Sequence, residues 1–232
     1  MLEMNSVSTS YGPVPMLRNV SLTVGKGELV CLLGPNGAGK STTFNAICGL
    51  LPCNSGSIRI AGRGVNETGT ESLARLGVGF VPEGRRLFPT LTVRENLRLG
   101  FEAAKTSLDF DERLQAVGEL FPRIMERLDQ GAGTMSGGEQ AMVALARALI
   151  SDPDLVVMDE PSLGLSPKLI DEYFLIVSRI RDAGKAVLLI EQNAETALSI
   201  SERGYLLIRG EIAISGDSRD LLKDDTIRHL YL

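Results

Sequence analysis

Gly34-Pro35-Asn36-Gly37-Ala38-Gly39-Lys40-Ser41-Thr42 constrains this chain more than any other stretch. The spacing G-x-x-x-x-G-K-S is that of a phosphate-binding loop, the Walker A pattern. Before it, Leu29, Val30, Cys31, Leu32 and Leu33 form an apolar run of the kind a strand buried on both faces requires, and a helical pattern follows over 40–49. Gly37 and Gly39 let successive backbone N–H groups turn inward, and the following helix N-terminus adds its positive dipole end. A polyphosphate is then held mainly by main chain, from Gly34 and Asn36 through Ala38. Lys40 is placed to reach its β- and γ-phosphates, Ser41 to offer a hydroxyl to Mg²⁺, and Thr42 to add a further phosphate contact.

With 232 residues, 44% of them hydrophobic, the chain can bury a substantial core as one large domain or one domain with two lobes. The net charge of −5 argues against general nucleic-acid binding, since the densest basic site is only Arg85 and Arg86. Cys31, Cys48 and Cys53 are an odd, unpatterned set and read as reduced thiols, with no Cys/His metal cluster. His229 is the single histidine, in a short terminal segment where a structural or solvated role is expected. The longest apolar runs are strand-length and fall far short of the ~20 residues that span a bilayer. The N-terminus has no basic flank or apolar segment of a secretory signal, so any membrane role is expected to come through a partner.

Further along, 20–24 reads as a strand entering the buried one, and Tyr11 sits in a loop or strand end where an exposed ring can stack on a purine. Short strands are expected at 57–60 and 77–81, then a helical region with helices at 93–99, opening after Thr92, and 110–128. That region ends in Met135-Ser136-Gly137-Gly138-Glu139-Gln140, where a serine and two glycines open a helix carrying Met142, Leu145, Ala146 and Leu149 on one face. This is a second candidate anion site, and equally a plain N-cap. Leu155 to Met158 is an apolar strand ending in Asp159 and Glu160, where α/β sheets place ligand-binding residues. Asp159 is placed to hold Mg²⁺ and Glu160 to orient or deprotonate an attacking water. A helix at 166–183, a strand at 186–191, a helix at 192–201 and a hairpin of 204–208 with 211–215 complete the chain.

Taken together, these segments resemble the ATP-binding cassette ATPases over essentially the whole length. Ser136-Gly137-Gly138-Glu139-Gln140 matches that family's signature motif, in the right order between the Walker A loop and the Asp159-Glu160 strand end. The resemblance implies an α/β fold: a P-loop core with a parallel sheet, an N-terminal antiparallel β region and an inserted helical lobe. One catalytic lobe would comprise 1–83 and 155–232, with a helical lobe at 84–154. It also implies a nucleotide-sandwich dimer, in which Ser136, Gly137 and Gly138 of one subunit contact the ATP held by the other, with Tyr11 stacking on adenine and 162–165 forming the D-loop. Val81-Pro82-Glu83-Gly84-Arg85-Arg86-Leu87-Phe88 and Ile190-Glu191-Gln192-Asn193-Ala194 narrow the likeness to LivF-type subunits of branched-chain amino acid importers, whose relatives serve urea, amide and other amino acid importers.

The implied cofactors are ATP and Mg²⁺. The implied partners are a LivG-type ATPase or a second copy of the chain, two membrane permease subunits and, indirectly, a solute-binding protein, at the cytoplasmic face of the inner membrane. Glu83 and Gln192 stand where the wider family has glutamine and histidine. A carboxylate at 83 can ligate Mg²⁺ but repels a γ-phosphate, a charge that Arg85 and Arg86 are close enough in sequence to offset. Gln192 can donate a hydrogen bond but cannot carry a proton. A soluble non-transport cassette acting on DNA or ribosomes is the runner-up; a GTPase is disfavoured, since no Asn-Lys-x-Asp guanine motif occurs.

Overall fold

The computed structural model describes residues 1–104 and 107–231, with backbone alone at His229 and Tyr231. The expectation for the His229 side chain lies outside the described residues. Ten strands are formed among the described residues: β1 (Leu2–Tyr11), β2 (Val14–Val24), β3 (Leu29–Leu33), β4 (Ser55–Ile60), β5 (Arg63–Gly64), β6 (Val78–Val81), β7 (Leu155–Asp159), β8 (Ala186–Glu191), β9 (Arg203–Ile208) and β10 (Glu211–Asp217). A six-stranded sheet runs in the order β10-β9-β3-β8-β7-β6, parallel except for the β9–β10 hairpin. A separate antiparallel sheet runs β2-β1-β4-β5. Cys31 and Cys48 are buried free thiols.

Alternation along the central strands divides their side chains between two cores, because successive Cβ atoms point to opposite faces. Leu29, Cys31 and Leu33 of β3 pack with Val156, Met158, Val187 and Leu189 under the helices Gly137–Leu149 and Pro167–Asp182. Val30 and Leu32 pack with Val157, Leu188 and Ile190 toward the antiparallel sheet and the helix Lys40–Ile47. All residues of β3, β7 and β8 are buried, each large aliphatic side chain contributing about 1.5–3 kcal/mol. The helix Val93–Ala103 packs against Gly137–Leu149, and buried side chains from 93–150 join the same core as the sheet's helical face.

Two helix starts follow directly from sequence. Thr92 and Glu95 form a reciprocal capping box, as do Ser136 and Glu139. The helix expected over 110–128 stops instead at Leu120. Phe121 takes φ −129° and ψ 62°, because Pro122 disfavours helical backbone in the residue before it, and a short helix Pro122–Met125 then restarts. The helix expected over 192–201 is Ala194–Ile200, held back by Asn193, whose side-chain oxygen accepts from Thr196 N at 3.2 Å.

Parallel register brings the chemistry to one edge. Leu33 pairs with Glu191, Asp159 with Ile190 and Val81 with Met158, so the loop after β3, Asp159–Glu160, Glu191–Gln192 and Glu83 all leave the sheet at the same carboxyl ends.

Candidate nucleotide-binding site

Gly37 and Gly39 have φ of 78° and 111°, which a side chain rarely tolerates. A Cβ on Gly39 would also lie 2.9 Å from Leu17 Cδ2, so this turn of the loop admits glycine alone. The loop residues Asn36, Gly37, Gly39, Lys40, Ser41 and Thr42 line a cleft of about 260 Å³, bounded on its other sides by Met16, Glu83 and Glu160. Lys40 Nζ donates to the carbonyls of Gly34 (2.7 Å) and Pro35 (3.2 Å) and lies 3.0 Å from Glu160 Oε1. The ammonium is thus held by the bent loop and by a carboxylate that enters from β7.

Asp159 is 2% exposed, and its Oδ1 has no hydrogen-bond partner. Burial, followed by the nearby charges of Glu160 and Glu83, pushes its carboxyl up to about 6, against a hydrogen bond from Ser41 and the charge of Lys40. A buried carboxylate short of partners beside a serine hydroxyl fits a hard divalent cation such as Mg²⁺. No group of three or more His, Cys, Asp or Glu gathers as a metal cage among the described residues. Glu160 itself has φ 45°, a left-handed conformation that Cβ makes costly and that clusters at functional turns.

Gln192 is exposed and, with Glu160 and Ser162, lines a neighbouring cleft of about 620 Å³. Between them lies Glu191, which sequence reasoning passed over as the end of a strand. Its carboxylate is 2% exposed and accepts hydrogen bonds from the backbone N–H groups of Ser162 and Gln192, both at 3.1 Å. The available signal was a lone acid closing the apolar run 186–190.

Glu83 opens a loop with three successive left-handed residues, Gly84 (φ 73°), Arg85 (66°) and Arg86 (46°). Neither arginine forms an ion pair with Glu83 among the described residues, contrary to the offset expected from their proximity. Arg85 Nη1 instead donates to Gln140 Oε1 at 3.2 Å, its guanidinium lying where a Cβ on Gly137 would come within 3.0 Å, and Arg86 Nε donates to the Glu83 carbonyl at 3.2 Å. Arg147, also missed in the sequence, donates from Nη1 to the Arg86 carbonyl (2.8 Å) and from Nη2 to the Arg85 carbonyl (3.1 Å). The loop is therefore fastened to the helix Gly137–Leu149 near both ends.

Ser136, Gly137 and Gly138 do not line the Lys40 cleft of their own chain. Tyr11 also stands outside that lining. It is 47% exposed at the end of β1, and its hydroxyl accepts from Asn45 Nδ2 at 3.2 Å.

A glycine-rich cradle between β3 and a helix, with an acidic strand end beside its lysine, defines a P-loop nucleotide-binding protein. Residues 17–163 match the ABC transporter family, and the chain belongs to that family, with the fold of its ATPase cassettes. It is 46% identical to the high-affinity branched-chain amino acid transport ATP-binding protein BraG of Pseudomonas aeruginosa, over 100% of this chain and 99% of that protein. It is 33% identical to the probable branched-chain amino acid transport ATP-binding protein LivF of Archaeoglobus fulgidus (100% and 98%) and 33% to the lipopolysaccharide export system ATP-binding protein LptB of Escherichia coli (100% and 96%). Among solved structures, the ATP-binding subunit of an ABC transporter superposes with a TM-score of 0.86 at 30% identity, over 98% of this chain and 94% of that one. A dimeric bacterial ABC transporter cassette superposes at 0.84 and 27% identity, over 94% and 99%. No helix among the described residues is long and apolar enough to cross a membrane.

Proposed function

We propose that this chain is the ATP-hydrolysing motor subunit of an importer for branched-chain amino acids, working as a nucleotide-sandwich dimer on membrane permease subunits. The observation that carries the chemistry is the cleft in which Lys40, Ser41 and Glu160 meet beside Asp159. The loop's N–H groups and Lys40 hold the β- and γ-phosphates, Ser41 and Asp159 hold Mg²⁺ with Glu83 close by, and Glu160 takes the proton of the attacking water. Held there, Mg²⁺ would supply positive charge to the bound phosphates. Gln192 donates a neutral hydrogen bond toward the γ-phosphate, and Tyr11 stacks on the adenine. Ser136, Gly137 and Gly138 serve the cleft of the opposite subunit, a LivG-type cassette or a second copy. Their distance from the Lys40 cleft of their own chain favours this reading.

The solute assignment rests on likeness to BraG at 46% identity, against 33% for the lipopolysaccharide exporter LptB. A groove of about 340 Å³ at the edge of β6, bordered by the exposed side chains of Phe88 and Leu99 with Arg86 and Arg147, fits a helix of a permease subunit. Docking there sets the chain on the cytoplasmic face of the membrane. The test is reconstitution with two permease subunits, a second cassette and a solute-binding protein. Uptake of leucine, isoleucine or valine that requires ATP is the expected result. Uptake of urea or an amide alone reassigns the solute, and an assembly that moves lipid outward overturns the importer reading.

A further inference from the structure

Glu191 presents a problem of energetics. It closes β8, whose other residues are all apolar and buried, and no cation pairs with its carboxylate among the described residues. Burial raises its pKa, so the ionised form is disfavoured there. A small or apolar residue would end the strand at lower cost. What the carboxylate supplies is a two-headed acceptor. Oε1 takes the N–H of Ser162 and Oε2 the N–H of Gln192, each at 3.1 Å, so one rigid group joins two loops that are 29 residues apart in the chain.

Both loops carry proposed chemistry. Ser162 lies two residues after Glu160, whose own N–H donates to the Ile190 carbonyl at 2.9 Å. The left-handed backbone of Glu160 is consequently gripped on its N-terminal side by Ile190 and on its C-terminal side by Glu191, two adjacent residues of one buried strand. A strained conformation persists only where its surroundings over-determine it, and these two contacts do so. The same carboxylate fixes the first peptide of the Gln192 loop. We infer that Glu191 is a positioning residue: it sets the direction of the Glu160 side chain and of the Gln192 amide by holding Ser162 N and Gln192 N at a fixed separation.

This inference rests on the ATPase reading, and its test separates the two. Glu191→Gln keeps the size but can accept only one of the two N–H groups, turning an NH₂ toward the other. Expected is a fall in kcat of roughly tenfold, the scale of one lost charge-assisted hydrogen bond, with the KM for ATP changed by less than about twofold. Rates are taken per nucleotide-binding site, counted with a non-hydrolysable ATP analogue, so that unfolded protein drops out. The decisive comparison repeats the substitution in a Glu160→Gln background under single-turnover conditions. With no base left to aim, Glu191→Gln then slows the residual reaction little or not at all. Glu191→Asp, which keeps the charge but withdraws it by one methylene, carries the same expectation should the amide variant fail to fold. An unchanged kcat in the single variant, or the same fold-loss in both backgrounds, overturns the inference. A wild-type chain that hydrolyses nothing in its complex overturns the ATPase reading instead.

Discussion

Lys40 Nζ lies 3.0 Å from Glu160 Oε1, in a pair whose side chains are 4% and 11% exposed. The cation proposed for the phosphates and the base proposed for the water therefore hold one another. In the proposed mechanism an incoming γ-phosphate would take Lys40 from Glu160 and leave the carboxylate free to accept a proton. Glu160→Gln removes both the competing partner and a negative charge facing the phosphate. ATP should bind at least as tightly as to wild type, while turnover falls by roughly 10²-fold or more, the usual contribution of a placed base. Nucleotide titration and steady-state ATPase rates check the two halves separately; weaker ATP binding would contradict the pairing described.

Asp159 supplies a prediction about stability. Burial raises its carboxyl from the ordinary aspartate range to about 6 in the folded chain, so the native state binds this proton more tightly than the unfolded state does. Above pH 6 the ionised group opposes folding by about 3 kcal/mol, and that penalty fades as pH falls from 6 toward 4. Asp159→Asn should accordingly melt higher than wild type at pH 8 without nucleotide, and the gap should close through the pH 6 to 4 window. The same variant should lose Mg²⁺-dependent hydrolysis. Thermal melts of both proteins across pH supply the check, and a gap that widens on acidification would refute the assignment.

The surface between the Glu83 loop and the helical region needs its substitutions chosen by geometry. Glu95 accepts from Thr92 N at 2.8 Å and completes the capping box of the helix Val93–Ala103, so Glu95→Lys should destabilise that helix and confuse any docking experiment. Arg94 only approaches Asp111 and Asp129 at 4.0 and 3.9 Å on an exposed face, so Arg94→Glu should change stability by less than about 1 kcal/mol. Leu99→Glu, at the rim of the groove, should uncouple transport while ATP binding persists. Parallel assays of uptake and nucleotide binding in the reconstituted complex distinguish these outcomes.

How far sequence reasoning reached is clear from particular residues. Gly37, Gly39, Lys40 and the Asp159–Glu160 strand end were legible because their requirements are local: a backbone conformation, a charge, a position at the end of an apolar run. Ser136 and Thr92 were legible as helix starts for the same reason. Arg147 was not, since its hydrogen bonds reach carbonyls 61 and 62 residues away. Glu191 likewise acquires meaning only when β7 and β8 become neighbours. Arg85 was drawn toward Glu83 by proximity in sequence, whereas the left-handed turn at 84–86 directs its guanidinium to Gln140. The break at Pro122 and the cap at Asn193 were local signals that the helical periodicity masked.

A prediction about the dimer follows from the separation of Ser136 from the Lys40 cleft. Ser136→Arg in one subunit of a mixed dimer should impair hydrolysis at the site whose Lys40 belongs to the other subunit, with nucleotide binding at its own loop retained. Pairing this variant with a Lys40→Ala partner, and then with a Glu160→Gln partner, assigns the lost turnover to one cleft or the other. Loss confined to the mutated subunit's own cleft would be incompatible with exchange across the interface.

The Ser136 hydroxyl donates to Glu139 Oε2 at 2.7 Å, and Glu139 is in turn 3.2 Å from Arg127 Nη1. A hydroxyl has a single proton to donate. In the proposed closed dimer, a phosphate oxygen from the neighbouring subunit would become a rival to Glu139 for that proton, while the existing Arg127 pair keeps the Glu139 carboxylate satisfied. Closure at this point substitutes one anion for another and leaves the number of hydrogen bonds almost unchanged. If Ser136 meets ATP across the dimer as proposed, contacts balanced in this way would hold the two subunits only while the third phosphate is present, and each round of hydrolysis would restore the resting partner and let the pair come apart.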